Sequence, residues 1–486
     1  MSSRMSASDD RPSNMVPAST RSGATDRPDV VGASVQVPLV SGKWRQYVNL
    51  DYAASTPPLA AVVHSLELFL PYYSSVHRGA GYKSQIATAA YEGARERVRA
   101  AFNARPEDVV LFTRNTTDST NLLAASLPEG ASVVTFASEH HANLLPWQVG
   151  DGLVTYLDAP SSPPDSIERL EQHFRSGART TLVAVTGASN VTGEIWPVAE
   201  LAAIAHRYGA RILLDAAQLA PHFPVDVSAL DVDYMAVSGH KLYAPFGSGV
   251  LIGRADWLEG KDPFLRGGGA VDFVTTTEVL WSALPERQEA GSPNVVGAVA
   301  IGVALDELAR YGMERLGREE MALAAYARSR LMTVPGLSLY RLWDEDADRI
   351  GVATFTLSGF HHSELAAILS AEFGIGVRHG CFCAHPLMLK LLNVGDAAAA
   401  EIRAGIKRGE KYRIPGAVRM SLGIGTTQGD VDYLVAALHQ IAAEGPGWHY
   451  SRDPRSGEFA PEPDPRPWPD LPVRLAREVR STDESS

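Results

Sequence analysis

The strongest constraint on this chain is an alternation of two periodicities. Short apolar runs at 109–113, 132–137, 181–186, 211–214, 234–237 and 249–253 read as buried strands. Helical periodicity fills the stretches 86–102, 119–126, 167–175 and 198–208 among them. Strands that alternate with helices predict a largely parallel sheet with helices on its faces, an α/β architecture. After about residue 305 the order changes to a long helix, strands at 337–340, 352–357 and 374–378, and a final helix at 431–443. That second pattern predicts a smaller α+β domain.

The ends of the chain differ in composition. Residues 1–36 and 448–486 are polar and rich in Ser, Pro, Asp, Glu and Arg, which predicts disordered tails. Between them the expectation is a large domain over 37–305, its first residues free to pack on the small domain, and a small domain over 306–447. With 486 residues, 45% hydrophobic and 21% charged, the chain has ample material for two cores. A net charge of −12 argues against general binding to nucleic acid or anionic membrane. Neither a membrane span nor a secretory signal is expected, because no window of about 18 apolar residues exists and the start lacks an apolar core. Only two cysteines occur, Cys381 and Cys383, which excludes a disulfide framework and points to a reducing, cytoplasmic setting.

Ligands of open α/β sheets sit outside the carboxyl ends of the strands, so the residues following each apolar run carry the functional reading. The run 234–237 leads into Ser238-Gly239-His240-Lys241. A lysine held there and desolvated has its pKa pulled below the usual value of about 10.4 and becomes a nucleophile or Schiff-base former; the plain alternative is an exposed loop lysine. Asp215 closes the run 211–214 and, if buried, needs a partner, either a pyridinium nitrogen or the amides of a following helix. Thr113-Arg114-Asn115-Thr116-Thr117-Asp118 joins a strand to a helix, where hydroxyls and free N–H groups suit a phosphate or a simple cap. His140 and His141 follow another strand and offer a stacking surface, a proton donor or, least readily, a metal site. Asn190, after the run 181–186, offers an amide to a carboxylate or phenolate.

In order along the chain stand Asn49-Leu50-Asp51-Tyr52-Ala53-Ala54, Val76-His77-Arg78-Gly79, Glu139-His140-His141-Ala142-Asn143, Asp215-Ala216-Ala217-Gln218, Ser238-Gly239-His240-Lys241, Glu289-Ala290-Gly291-Ser292-Pro293-Asn294 and Cys383-Ala384. Together they resemble the class V aminotransferase fold, specifically its cysteine desulfurase and selenocysteine lyase branch, over about residues 49–443. The resemblance implies the fold type I of pyridoxal 5′-phosphate enzymes: a large domain with a mostly parallel seven-stranded sheet covered by helices, a smaller α+β C-terminal domain, and a homodimer. By matching position, Lys241 would hold the cofactor covalently and later abstract the substrate α-proton. Asp215 would bond the pyridine nitrogen, Gln218 would address the ring O3′, and His140 would stack on the ring and shuttle protons. Thr116, Thr117, Ser238 and His240 would bind the phosphate, with Ser292 reaching it from the other subunit. Arg419 would clamp the substrate carboxylate, assisted by Asn190. No metal is implied.

Cys383 falls on the position whose thiolate attacks the sulfur of L-cysteine or selenium of selenocysteine, leaving alanine and an enzyme persulfide that passes to an acceptor protein. Two buried structural cysteines are the plain reading of the pair, and Cys381 is expected to pack or to take part in redox side chemistry with Cys383 rather than to relay sulfur, the third reading open to it. The run Gly380-Cys381-Phe382-Cys383 also resembles molybdenum-cofactor sulfurases. Transamination, epimerisation or carbon–sulfur lysis on the same scaffold would dispense with Cys383.

Three stretches depart from the resemblance. Ala80-Gly81-Tyr82 stands where a second histidine is usual after His77-Arg78-Gly79. Asn115 replaces a glycine before the two threonines and is expected to tolerate a left-handed backbone there. Residues 387–417 are longer than the usual link between Cys383 and Arg419, and read as an acceptor dock, a lid or a solvated insertion.

Overall fold

The computed structural model describes residues 27–148, 153–344 and 347–467. Seven strands form one sheet: β1 Asp108–Thr113, β2 Ser132–Phe136, β3 Leu153–Leu157, β4 Leu182–Thr186, β5 Arg211–Asp215, β6 Tyr234–Ser238 and β7 Gly249–Arg254. Their spatial order is β1-β7-β6-β5-β4-β2-β3, and only β7 runs antiparallel to its neighbours. Side chains alternate across a strand, so each apolar run feeds two cores. Val183, Val185, Ile212, Leu214, Met235 and Val237 pack on one face, whereas Leu182, Ala184, Leu213, Tyr234 and Ala236 pack on the other.

Six of these strands coincide with the expected runs to within a residue or so at each end. The seventh, β3, has no counterpart among them. It is an edge strand with mostly half-buried or exposed residues, so it lacks the continuous apolar signature of its buried neighbours. Because β2, β4, β5 and β6 are parallel, their carboxyl ends lie together, with Thr186 beside Asp215 and Asp215 beside Ala236. Every loop that carries a candidate site residue after a strand therefore leaves the sheet at one edge.

The long helix expected after residue 305 is two helices, Val295–Tyr311 and Met313–Leu331. They are divided at Gly312, whose φ of +83° is a conformation that glycine adopts without steric cost. A second sheet follows, with β8 Leu337–Tyr340, β9 Val352–Leu357, β10 Arg378–Gly380 and β11 Ala417–Ser421 antiparallel in the order β8-β9-β11-β10. Its core gathers Phe355, Leu369, Met420 and Leu438, and also takes in Val48 and Leu50 from the start of the chain. The stretch expected as one strand at 374–378 is divided, since Ile375–Gly376 pairs in parallel with Val48–Asn49 before Arg378–Gly380 joins the second sheet.

The tails need correction where they are described. Residues 1–26 and 468–486 lie outside the described residues. Residues 27–36, expected as disordered tail, are held by a bridge between Val30 and Leu59 and by the strand pair Gln36–Pro38 and Trp44–Gln46. Beyond residue 448, Tyr450–Arg452 and Phe459–Pro461 form a hairpin. Glu372 anchors it by accepting from the Gly447 and Trp448 amides and from the Tyr450 hydroxyl. These ends are fixed by polar anchors rather than by an apolar stripe, so hydrophobic periodicity did not reveal them.

Glu289, in the segment that carries Ser292, is buried at a four-way junction. It accepts from Arg95 Nη1 at 2.8 Å and Nη2 at 2.9 Å, the Phe112 amide at 2.7 Å and the Tyr91 hydroxyl at 2.7 Å. Both partners of the ion pair have side chains only 5% exposed, so removing Glu289 leaves the buried Arg95 with only the more exposed Glu92 as counter-charge. Glu289→Ala is expected to lower stability by about 3–5 kcal/mol, read as a shift of the urea unfolding midpoint; an unchanged midpoint would refute this account of the junction.

Candidate active site

A cavity of 450 Å³ opens at the carboxyl edge of the large sheet. Lys241 enters it from the turn that follows β6, and Asp215 from the end of β5. Burial, then the positive charge of Arg419, presses the Lys241 amine down, and Asp215 and Cys383 pull the other way, leaving it at about 8. Burial raises the Asp215 carboxyl, while the Ala217 amide at 3.0 Å and Lys241 hold it down. The two groups each lose water and answer each other's charge.

His140 lines the same cavity. Its Nδ1 accepts from the Ala142 amide at 3.1 Å, so the ring proton belongs on Nε2. Burial above all, with Lys241 adding to it, pushes this imidazole down to about 3, which keeps it neutral and apt to lie against an aromatic ring. The flanking residues of the motif have another task that its sequence did not disclose. Glu139 accepts from Asn143 Nδ2 and from the Thr186 amide, both at 2.9 Å, and so ties the loop after β2 to the end of β4. Burial lifts the Glu139 carboxyl to about 8.

The loop after β1 approaches from the opposite side. Asn115 caps the helix Thr116–Ser126 by accepting from the Asp118 amide at 3.0 Å. Its φ of −175° is extended, so the expected left-handed conformation is not used; capping is what suits Asn here. The Thr116 amide donates to Ser238 Oγ at 2.9 Å, and the two hydroxyls lie 2.9 Å apart. Gly249 permits this approach of β7 to the loop, since a Cβ there would sit 2.6 Å from Asn115 Cα. Thr117 and His240 complete this end of the cavity, and burial lowers His240 to about 4. An open helix N-terminus ringed by hydroxyls suits a dianion.

Arg419 reaches the cavity because alternation along β11 turns Val418 and Met420 into the second core. The carbonyl of Asn190 accepts from Arg419 Nη1 at 2.9 Å, Asp51 lies 3.3 Å from Nη2, and the Phe382 ring sits beneath the guanidinium at 5.1 Å. The Asn190 side chain is itself occupied, donating to the Phe382 carbonyl at 2.7 Å. Asn190 thus braces both Arg419 and the cysteine loop, a role that its sequence position alone did not distinguish from ligand binding.

Cys383 lies exposed at the cavity margin, whereas Cys381 is buried with its thiol donating to the Pro415 carbonyl at 2.7 Å. Burial, with Cys383 adding to it, raises the Cys381 thiol to about 11 and leaves it unreactive at neutral pH. Phe382 and Cys383 have φ of +52° and +54°, a left-handed turn that costs of order 1–3 kcal/mol per residue. The His141 amide donates to the Cys383 carbonyl at 2.7 Å, and with Asn190 it holds this turn in place. His141 and His385 stack beside the cysteine with centroids 4.9 Å apart and planes 6° apart.

Ser292 is the one candidate outside this cavity. It stands with His77 and Arg78 on a separate concavity of 1090 Å³.

Two fully buried side-chain atoms of residues lining the main cavity lack hydrogen-bond partners among the described residues. Gln218 donates to the Ala53 carbonyl but its buried Oε1 has none, and Arg419 Nε is likewise unpaired. Such groups are costly unless a ligand meets them. An acid, a desolvated amine, a neutral imidazole, a dianion cradle and an arginine together fit a phosphorylated pyridinium aldehyde and an amino acid carboxylate.

The model of the family Aminotransferase class-V matches residues 48–434. The chain is 40% identical over 363 residues, 73% of its length and 87% of the other, to a probable cysteine desulfurase of Halalkalibacterium halodurans. It is 36% identical over 402 residues, 81% of its length and 91% of the other, to a cysteine desulfurase of Dickeya dadantii. Among solved structures it resembles a cysteine desulfurase of Thermococcus onnurineus, with TM-score 0.72 and 30% identity over 82% of this chain and 95% of that one. A cysteine desulfurase of Escherichia coli gives TM-score 0.68 and 33% identity over the same shares.

The depressed Lys241 amine makes a direct prediction. Only the neutral amine attacks a carbonyl, so trapping of a small aldehyde on Lys241 with borohydride should rise with pH through a midpoint near 8. Asp215→Asn removes the opposing negative charge and should move that midpoint lower, as followed by peptide mass spectrometry. A midpoint at the ordinary lysine value of about 10.4 would contradict the desolvation argument.

Proposed function

We propose that this chain, which belongs to the aminotransferase class-V family, acts as a pyridoxal 5′-phosphate-dependent cysteine desulfurase. The observation that carries the reading is that Lys241, Asp215 and Cys383 open on one cavity. When bound, pyridoxal 5′-phosphate supplies an electron sink for negative charge developing at the substrate Cα. Lys241 holds the cofactor, and Asp215, Gln218, His140 and the Thr116, Thr117, Ser238 and His240 cradle address its nitrogen, O3′, ring face and phosphate.

The residues of the chain divide the remaining work. Arg419, held by Asn190 and Asp51, directs an unpaired N–H to the substrate carboxylate. With its amine near 8, Lys241 is suited to take the proton at Cα and to return one. His140, neutral with Nε2 protonated, lines the same cavity as Lys241 and is suited to assist that transfer. Cys383 supplies the nucleophile. A bond forms between its Sγ and the substrate sulfur, the substrate Cβ–S bond breaks with its electron pair left on carbon, and protonation completes alanine. The product on the enzyme is a Cys383 persulfide, whose sulfur leaves with an acceptor.

The active form is read as a homodimer. Tyr73, Tyr82, Phe273 and Leu280 are large apolar residues exposed at 48%, 75%, 61% and 59%, and Ser292 sits outside its own chain's cavity. A second copy covering such a surface would bring Ser292 to the neighbouring phosphate cradle. No helix among the described residues is long and apolar enough to cross a membrane. Free Cys383 requires a reducing setting, which the cytoplasm supplies.

Holoenzyme incubated with L-cysteine and a thiol is expected to release alanine and sulfide in equal amounts, with Cys383→Ser abolishing both. Retained pyridoxal phosphate absorbance without alanine would reject desulfuration. Arg419→Ala should raise KM for cysteine about 10- to 100-fold, the equivalent of losing a charged hydrogen bond of roughly 1.5–3 kcal/mol.

A further inference from the structure

Cys383 borders a second cavity as well as the first. This second space, of 310 Å³, lies on the far side of the cysteine loop and is lined from three directions. Arg378 and His379 come from β10, the turn Lys411–Arg413 from the long link after the cysteines, and Ser456, Gly457 and Glu458 from the C-terminal hairpin. Arg378, Phe382 and Cys383 line both cavities, so the cysteine loop is the partition between them.

The hairpin wall is built in. Glu458 accepts from Ser363 Oγ at 2.7 Å and pairs with His379 Nε2 at 3.0 Å. Gly457 presses on the Lys411–Arg413 turn, where a Cβ would lie 2.6 Å from Tyr412 Cα, and the Arg452 guanidinium covers the Tyr412 ring at 4.5 Å. Residues 445–467 lie beyond the span that the family model matches, so this wall is an extension past that span.

Charge in the cavity is one-sided. Glu458 is its one carboxylate among the described residues and is already engaged. Arg378 and Lys411 are exposed, and among the described residues neither side chain makes a hydrogen bond or ion pair, although Arg378 feels the charge of Asp51. His361, His362, His379 and His385 add polar rings around them. A space near the lower end of small-molecule pockets, with two uncommitted cations and a reactive sulfur at its inner wall, suits a compact anion.

We infer that this cavity receives the sulfur acceptor, and that the acceptor it fits is a small thiol carrying a carboxylate, held by Lys411 and Arg378. The inference rests on the desulfurase reading, because it begins from the Cys383 persulfide. The acceptor thiolate attacks the terminal sulfur, and a new sulfur–sulfur bond forms. The bond from that sulfur to Cys383 Sγ breaks, its electron pair leaves on Cys383 as a thiolate, and the hydrogen stays on the transferred sulfur. The acceptor departs as its own persulfide, and no outside oxidant or reductant is consumed.

Two measurements on holoenzyme separate this step from the one before it. Rapid quenching with one equivalent of L-cysteine and no other thiol should give a burst of about one alanine per chain, since that half needs no acceptor and leaves no cysteine, itself a thiol with a carboxylate, to serve as one. Steady-state alanine formation at fixed L-cysteine, less the turnover that cysteine alone supports as acceptor, is then followed against 3-mercaptopropionate and against 3-mercaptopropionamide, which differ in charge and hardly in shape. The carboxylate should saturate, with kcat/KM at least tenfold above the amide, and added salt should erode the difference. Lys411→Glu should remove the preference while the burst persists, and a charge-preserving Lys411→Arg should keep it. Equal, unsaturable dependence on the two thiols, or an unchanged preference in Lys411→Glu, would overturn the inference and leave the desulfurase reading standing. Absence of the burst would overturn both.

Discussion

The structure depends on keeping an amine and a carboxylate, both stripped of water, at the ends of two adjacent parallel strands. Asp215 ends β5 and Lys241 follows β6. Burial drives each toward its neutral form, and their mutual attraction opposes it, aided by the Ala217 amide at Asp215 and by Cys383 at Lys241. Holding two such groups out of water requires a rigid frame, and the apolar interiors of β4, β5 and β6 between two cores provide one. A lysine kept near pH 8 and an acid kept beside it are then available for ligand chemistry rather than lost to each other.

Much of this was legible because buried parallel strands write themselves as continuous apolar runs. The strands bearing Thr113, Asp215 and Ser238 at their ends, and the residues just after them, could be read directly. Elements with weaker signatures were not. The edge strand β3 is half-exposed, the apolar run of β11 is broken by Arg419, and the terminal segments are fixed by Glu372 and by a backbone bridge. For the site, sequence pattern supplied residue types but not their obligations to one another. Glu139 and Asn143 proved to be loop ties, and the Asn190 amide is committed to Phe382. Such assignments depend on which donor meets which acceptor across 47 or 192 residues of chain, which no local periodicity encodes.

The cysteine loop connects the two halves of the chemistry. Asn190 and the His141 amide fix the carbonyls of Phe382 and Cys383, and both residues adopt left-handed backbone that neither would choose freely. The consequence is placement. A thiol on a relaxed turn would sample solvent, whereas this one is held where two cavities meet. Cys381, two residues earlier, is anchored to Pro415 and buried, so the neighbouring sulfur is structural ballast for the turn rather than a second nucleophile.

Sulfur arriving from one side and leaving from the other has a kinetic logic. If the acceptor entered through the substrate cavity, it would compete with cysteine for Arg419, since both would present a carboxylate to the same guanidinium. Lys411 on the far side, with Arg378 on the partition between the two cavities, offers a second anion site that does not require Arg419 to be vacated. The extension that walls this side contributes no catalytic group to the first cavity, whose lining ends at Arg419 in the chain. Its effect is confined to what can approach Cys383 from outside. Selectivity for the acceptor is thereby separated from selectivity for the substrate, and each can change without disturbing the lysine and aspartate on which the chemistry rests.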